Sequence, residues 1–240
     1  MSQAALWHDV ECGGYSADLV AWEGLADRVD GRVLELGCGT GRVALHLARR
    51  GRDVWGVDAD PVLVEALDAR ASREGLAVSV ACADVCALAL HRDFELIIAP
   101  MQLVQMLGGA PRRRAALERI ADHLTGGGRF AAAIVELPAA SLNRPVGALP
   151  DIRERDGWVY SSLPMVVPVG GGGLEIRRRR HLVAPDGALS EEDHTDRLDP
   201  LDAAGLEAEA AAVGLQPIDR LDVPPSDGYL GSTILVLGGA

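Results

Sequence analysis

Lysine is absent, and all 23 basic residues are arginine. Imine-forming catalysis, pyridoxal phosphate attachment and the lysine of a phosphate-binding P-loop are thereby excluded. No run reaches the ~18 uninterrupted apolar residues of a membrane-spanning helix. The first residues also lack a basic segment followed by an apolar one. The expectation is a soluble, cytoplasmic protein with no membrane partner. Cysteine is confined to Cys12, Cys38, Cys82 and Cys86. No C-x-x-C pair occurs among them, so reduced thiols and no metal site are expected. Basic charge is in the minority, with 35 acids and a formal net charge of −12, which argues against a nucleic-acid partner. Aromatics make up only 4 % of the chain. Trp7, His8, Tyr15 and Trp22 nevertheless fall within the first 30 residues, so this leader is expected to pack on something.

What the chain does have is concentrated at Val33-Leu34-Glu35-Leu36-Gly37-Cys38-Gly39-Thr40-Gly41-Arg42. A short apolar run meets alternating glycines, and Val43, Ala44, Leu47 and Ala48 follow at helical spacing. The pattern is strand, tight turn, helix. Glycine there permits positive φ and close approach of a ligand, while the helix start offers free N–H groups. Arg42 stands where a dinucleotide fingerprint has its third glycine, and Glu35 would repel a diphosphate but suit a cationic ligand. Downstream, Asp53-Val54-Trp55-Gly56-Val57-Asp58 is a second short strand ending on an acid, placed to accept from both hydroxyls of a ribose.

These residues resemble the class I S-adenosylmethionine-dependent methyltransferases, in the small-molecule branch. Glu35 to Gly41 match the first motif, Gly56-Val57-Asp58 the ribose acid, and Ala83-Asp84-Val85 the adenine side. Phe94 to Pro100 resemble the fourth strand, and Leu124 to Phe130 the turn into the fifth. The resemblance implies an α/β fold: a Rossmann-like seven-stranded sheet with a small antiparallel β insertion. The expected division of the single domain is a cap segment 1–30, a core of 31–138 and 199–240, and an insertion 139–198. It also implies S-adenosyl-L-methionine as cofactor, released as S-adenosyl-L-homocysteine. The implied contacts are Tyr15, reaching the methionine carboxylate, together with Glu35, Gly37, Cys38, Gly39, Asp58, Ala59, Ala83, Asp84, Val85, Pro100 and Met101.

The remaining elements follow from pattern. Leu19, Trp22 and Leu25 mark a leader helix; Asp60-Pro61 caps a second, with Leu63 and Leu67 buried. Residues 77–81 form the third strand. The segment from Pro100 to Gly109 lies beyond the fourth strand, where open sheets bind ligands; Gln102 and Gln105 are expected to touch substrate, and a core helix with Met106 inside is the alternative reading of the segment. Pro111 opens a helix with Leu117, Ile120 and Leu124 inward, ended by glycines 126–128. The fifth strand, 129–136, ends on Glu136. Hairpins then join 159–167, 174–183 and 189–198. The run Arg177 to Arg180 is expected to face Glu191, Glu192, Asp193 and Asp196 as a charge ladder. Asp199-Pro200 restarts a helix carrying Leu206, Ala210 and Val213, and 216–223 with 232–237 close the sheet.

The expected reaction is methyl transfer to a nitrogen or oxygen of a small molecule. Glu136, Asp227 and Tyr229 are the first candidates for catalysis, ahead of His181 and His194, and no spacing chooses among them. A fold-retaining protein that binds cofactor without transferring methyl, as a cyclising catalyst or a partner-activating subunit, is the alternative. A homodimer paired through the β insertion is a further expectation.

Overall fold

The computed structural model describes residues 2–136, 146–147, 149–226 and 229–239. Helices α1 (Gln3–Cys12) and α2 (Leu19–Ala26) lead into β1 (Val33–Leu36), α3 (Arg42–Arg49), β2 (Val54–Asp58), α4 (Pro61–Glu74) and β3 (Val78–Cys82). Then come β4 (Phe94–Ala99), α5 (Ala110–Asp122) and β5 (Leu124–Ile134). After β6 (Val146–Gly147), β7 (Asp151–Arg155), β8 (Trp158–Pro168), β9 (Leu174–Val183) and β10 (Leu189–Leu198), the chain returns through α6 (Ala203–Ala211), β11 (Leu215–Val223) and β12 (Ser232–Gly239). Among the described residues no helix is long and apolar enough to cross a membrane.

The seven-stranded sheet has the order β11-β12-β5-β4-β1-β2-β3. The pairs among β1 to β5 are parallel, and β12 runs antiparallel to both β5 and β11. Helices cover both faces, which explains why β1 and β4 are apolar almost throughout. On one face α2, α3 and α4 bury Trp22, Leu25, Leu47 and Leu67; on the other α5 and α6 bury Leu117, Ile120, Leu206 and Ala210.

Several expectations need local correction. The buried stripe of α4 is Val64, Leu67 and Ala71, because Leu63 falls off the inward arc. Leu124 and the glycines at 126–128 belong to an extended β5 that pairs with β4 through a register shift at Phe94/Leu96, so the strand consumes the residues expected to end α5. It stops at Ile134, two residues short of Glu136. The Pro100–Gly109 segment forms only a 3-10 turn at Leu103–Gln105, leaving Met106 48 % exposed rather than in a core helix. Asp202, rather than Asp199, caps α6 through Gly205 N–H.

Strands β6 to β10 form a second, antiparallel sheet. Its β9–β10 register sets Arg179 against Asp193 and Arg180 against Glu192, as a ladder requires. Strand alternation, however, sends every second arginine to the other face. Arg178 and Arg180 are turned toward α1, where Arg180 Nε donates to Glu11 at 2.6 Å and Arg178 lies 3.8 Å from both Glu11 and Asp151. Burial works to raise the Glu11 carboxyl, but the hydrogen bond from Arg180 and the charge of Arg178 outweigh it and hold it below its ordinary range. Trp7 meets Tyr160 edge-on at 5.4 Å and seats α1 against this sheet.

Removing Glu11 would take the buried partner from Arg180 and leave it only Glu192 at 3.4 Å, and would leave Arg178 only Asp151 and Asp196 at 3.8 and 4.0 Å, whereas the Arg179–Asp193 pair is solvated. Glu11→Ala should therefore lower unfolding stability by ~3–5 kcal/mol, and Asp193→Ala by under ~1 kcal/mol, in urea denaturation.

Candidate active site

The turn after β1 is closely packed by two side chains and needs glycine for both conformation and space. Gly37 has φ +64° and Gly39 φ +52°; a Cβ on the first would crowd Leu103, and one on the second would overlap the His8 imidazole. Asp58, at the end of β2, accepts from Gly39 N–H and Asp60 N–H at 2.9 Å each, one to each oxygen. Each oxygen keeps a second lone pair, so capacity for a diol remains.

Glu35 lies beneath this turn, 3 % exposed, and its Oε2 has no hydrogen-bond partner. Burial pushes its pKa up to about 8 against the pull of Arg42 and the Ala44 N–H. Arg42 is the nearest cation, but it is occupied: its guanidinium forks onto Asp18 at 2.5 and 2.8 Å. Cys38 is buried, and desolvation, then Glu35 and Asp58, push its thiol far up, leaving it protonated and without nucleophilic character. Asp84 accepts from Cys86 N–H at 2.9 Å and from Arg112 at 2.8 Å on the exposed edge beyond β3. Its neighbours Ala83 and Val85 border the same rim, as does exposed Ala59 beyond β2. Pro100 is buried at the end of β4, and Met101 follows with φ +55°, a backbone region that non-glycine residues rarely occupy.

A continuous path leads from the turn to the second sheet. Arg42 lies 5.1 Å from the centre of the Tyr15 ring, Tyr15 lies 4.9 Å from Tyr229, and Tyr229 Oη donates to Asp151 at 3.0 Å. Burial and the Asp151 charge push the Tyr229 phenol far above its ordinary value, so it is a donor and not a base. Burial also raises the Asp151 carboxyl.

Gln102, Gln105, Glu136 and Tyr229 do not converge as expected. The Gln105 amide is spent on backbone: Nε2 donates to Val135 and Leu201 carbonyls, and Oε1 accepts from Val135 N–H. It is a clip between the end of β5 and the start of α6, with both amide N–H groups committed to backbone and the side chain buried. Glu136 Oε1 accepts from Ala203 N–H at the start of α6. Both residues line a cavity of about 470 Å³ with Arg113, Asp199, Asp202 and Glu209, apart from Tyr229. Gln102, partly exposed, precedes the 3-10 turn. His181 and His194 pair with Glu191 and Asp196 on the insertion. Asp227 lies outside the described residues. Asp151, His8 and Asp18 were not legible as site residues, because their partners come from β8–β9, the glycine turn and α3. Among the described residues no cluster of His, Cys, Asp or Glu is arranged for a metal.

Residues 33–128 match the family model of the methyltransferase domain. The fold is that of the class I methyltransferases. Two solved methyltransferases of this fold cover it end to end: the amino pentose methyltransferase CalS10 from Micromonospora echinaspora (TM-score 0.75, 19 % identity, 100 % of this chain and 98 % of that one) and the sugar N-methyltransferase KedS8 from Streptoalloteichus sp ATCC 53650 (0.79, 18 %, 100 % and 93 %). In sequence, the ribosomal protein L11 methyltransferase of Symbiobacterium thermophilum is 31 % identical over 138 residues, 53 % of this chain and 41 % of that protein. The chain spans less than half the length of the curated relatives it matches.

An acid held protonated by burial opposes unfolding less as it is forced to ionise. With an ordinary value of 4.5 and a folded value of about 8, Glu35 makes the native state bind more protons than the unfolded one between those values, so its contribution to stability falls as pH rises across that window. Glu35→Gln should flatten this slope in denaturation curves taken from pH 5 to pH 8.

Proposed function

We propose that this protein is an S-adenosylmethionine-dependent methyltransferase acting on a nitrogen or oxygen of a small molecule. The observation that carries the reading is the buried Glu35 carboxyl with an unpartnered oxygen, set under a glycine turn beside a ribose-competent acid. That donor set fits a ligand with a cationic amino-acid end and a diol, and it does not fit a dinucleotide. Glu35 would hold the ammonium, Asp58 the ribose hydroxyls and the rim around Asp84 the adenine, for which Arg112 would have to yield or share the carboxylate. Tyr15, buried against Arg42, stands at the methionine end. The sugar and amino pentose acceptors named for the solved neighbours support a small, amine-bearing acceptor for this chain as well.

The cofactor supplies a methyl carbon already activated by positive sulfur. What remains for the protein is alignment, which accounts for up to ~7–11 kcal/mol in well-oriented reactions. Tyr229 and Asp151 form the polar pair best placed for this, because they adjoin Tyr15 where α1 and the second sheet meet. Tyr229 would donate a hydrogen bond to the acceptor, and Asp151 would take its proton where the nucleophile arrives protonated. Glu136 is the weaker candidate, since one of its oxygens caps α6. On this reading the antiparallel insertion covers the acceptor, and its exposed Leu163 and Met165 offer a face for a second copy of the chain.

Calorimetry with S-adenosylhomocysteine should show Asp58→Ala binding weakened by ~1.5–3 kcal/mol, the value of a charge-assisted hydrogen bond. Tyr229→Phe should keep that affinity while losing turnover in a screen of amine-bearing metabolites with labelled cofactor. Unchanged affinity in a folded Asp58→Ala protein would contradict the cofactor assignment.

The acids paired with the arginine run leave little field for phosphate binding. Duplex DNA or RNA at moderate salt should give no mobility shift; a salt-dependent micromolar complex would contradict the small-molecule reading.

A further inference from the structure

Helix α1 brings one side chain directly onto the glycine turn. His8 lies against Gly39, in the space that the missing Cβ leaves, and its Nδ1 is 3.1 Å from Thr40 Oγ1. The direction of that bond is fixed by the next one. Thr40 Oγ1 sits 2.7 Å from Asp9 Oδ1, which also receives the Arg70 guanidinium and can only accept. The Thr40 hydroxyl proton is thus committed to Asp9, and its oxygen must accept from His8. Neutral His8 therefore carries its proton on Nδ1, and Nε2 is a bare acceptor with no hydrogen-bond partner among the described residues. Gly39, the residue it rests on, is the same one whose N–H is bound by Asp58.

We propose that His8 is a direct cofactor contact whose Nε2 accepts a hydrogen bond from one ribose hydroxyl while the neighbouring hydroxyl donates to Asp58. The inference rests on the cofactor reading above and adds to it a residue outside every motif of the glycine-turn region. A hydroxyl between two acceptors needs another arrangement than a single proton allows, and the diol resolves this: one hydroxyl donates to the Asp58 carboxylate and the other to His8. The charged groups facing the imidazole are Asp9 and Glu11 on its own helix, Asp58 from β2 and Arg70 from α4; burial, the largest influence, lowers the His8 pKa below its ordinary value and keeps Nε2 an acceptor at neutral pH.

The test separates this role from that of a mere strut to Thr40. Asparagine places its amide near the position of Nδ1, and glutamine near that of Nε2. Calorimetry with S-adenosylhomocysteine at pH 7.5 should show His8→Asn weakened about tenfold, as one lost hydrogen bond implies, and His8→Gln within about threefold of wild type. Wild type should also bind one of the 2′-deoxy and 3′-deoxy analogues about tenfold more weakly, with no further loss for that analogue in His8→Asn. Below pH 6.5 the wild-type affinity should fall more steeply than that of His8→Gln, because protonation makes Nε2 a donor. The reverse order of the two variants, or two deoxy analogues bound as well as the parent, would overturn the proposal, and the analogue arm stands even where a variant fails to fold. Wild type that binds S-adenosylhomocysteine with His8 variants unaffected sinks this inference alone; wild type that does not bind it at all sinks the cofactor reading too.

Discussion

A buried carboxyl group with one unpartnered oxygen is what the rest of this structure is arranged around. Glu35 is at the end of a strand buried on both faces, and a polar atom in such a place costs free energy unless something satisfies it. The Ala44 N–H serves the carboxyl in part, but Oε2 has no hydrogen-bond partner among the described residues. Arg42, one turn away on α3, is held by a bidentate pair with Asp18, and Trp22 Nε1 donates to the same Asp18 at 2.8 Å. The leader thereby pulls the nearest positive charge off Glu35 and fixes it under the Tyr15 ring. The buried Glu35 carboxyl beneath the glycine turn distinguishes it from a phosphate-binding one of similar glycine content.

The leader does more than cover the sheet. Through Asp9, Thr40 and Arg70 it joins the glycine turn to α4, and through Glu11, Arg178 and Arg180 it joins the antiparallel sheet. A single ten-residue helix thus carries one ionic network toward the glycine turn and another toward the antiparallel sheet. Its apolar contacts, Trp7 and Val10 with Tyr160, are few, so buried charge pairs set its position. Pairs of this kind add little net stability but penalise any arrangement that breaks them.

The sheet was legible in the sequence because buried parallel strands are written as short apolar runs, and the hairpin register because turn glycines and opposite charges fall at fixed offsets. Val33–Leu36, Phe94–Ala99, Leu174–Val183 and Leu189–Leu198 needed nothing beyond local pattern. Gln105 reads as a substrate contact and Glu136 as a catalytic candidate because polar residues beyond strand ends usually face solvent or substrate. Their partners are backbone groups some 30 to 100 residues away, at Val135, Leu201 and Ala203, and no local signal announces a backbone carbonyl in need of a donor. Helix α1 escaped notice for a related reason: its inward face carries Asp9 and Glu11, which read as solvated until Arg70, Arg178 and Arg180 are brought against them. The arginine run was half legible, since the register predicts the pairs but not that alternate members turn inward.

The central claim is that Glu35 is protonated in the empty protein and ionises to receive a cation. Binding of S-adenosylhomocysteine at pH 7 should then release close to one proton, measurable by calorimetry in two buffers of different ionisation enthalpy. The account predicts this release in wild type and its disappearance in Glu35→Gln. Binding without net proton release, or the same release in the variant, would contradict it.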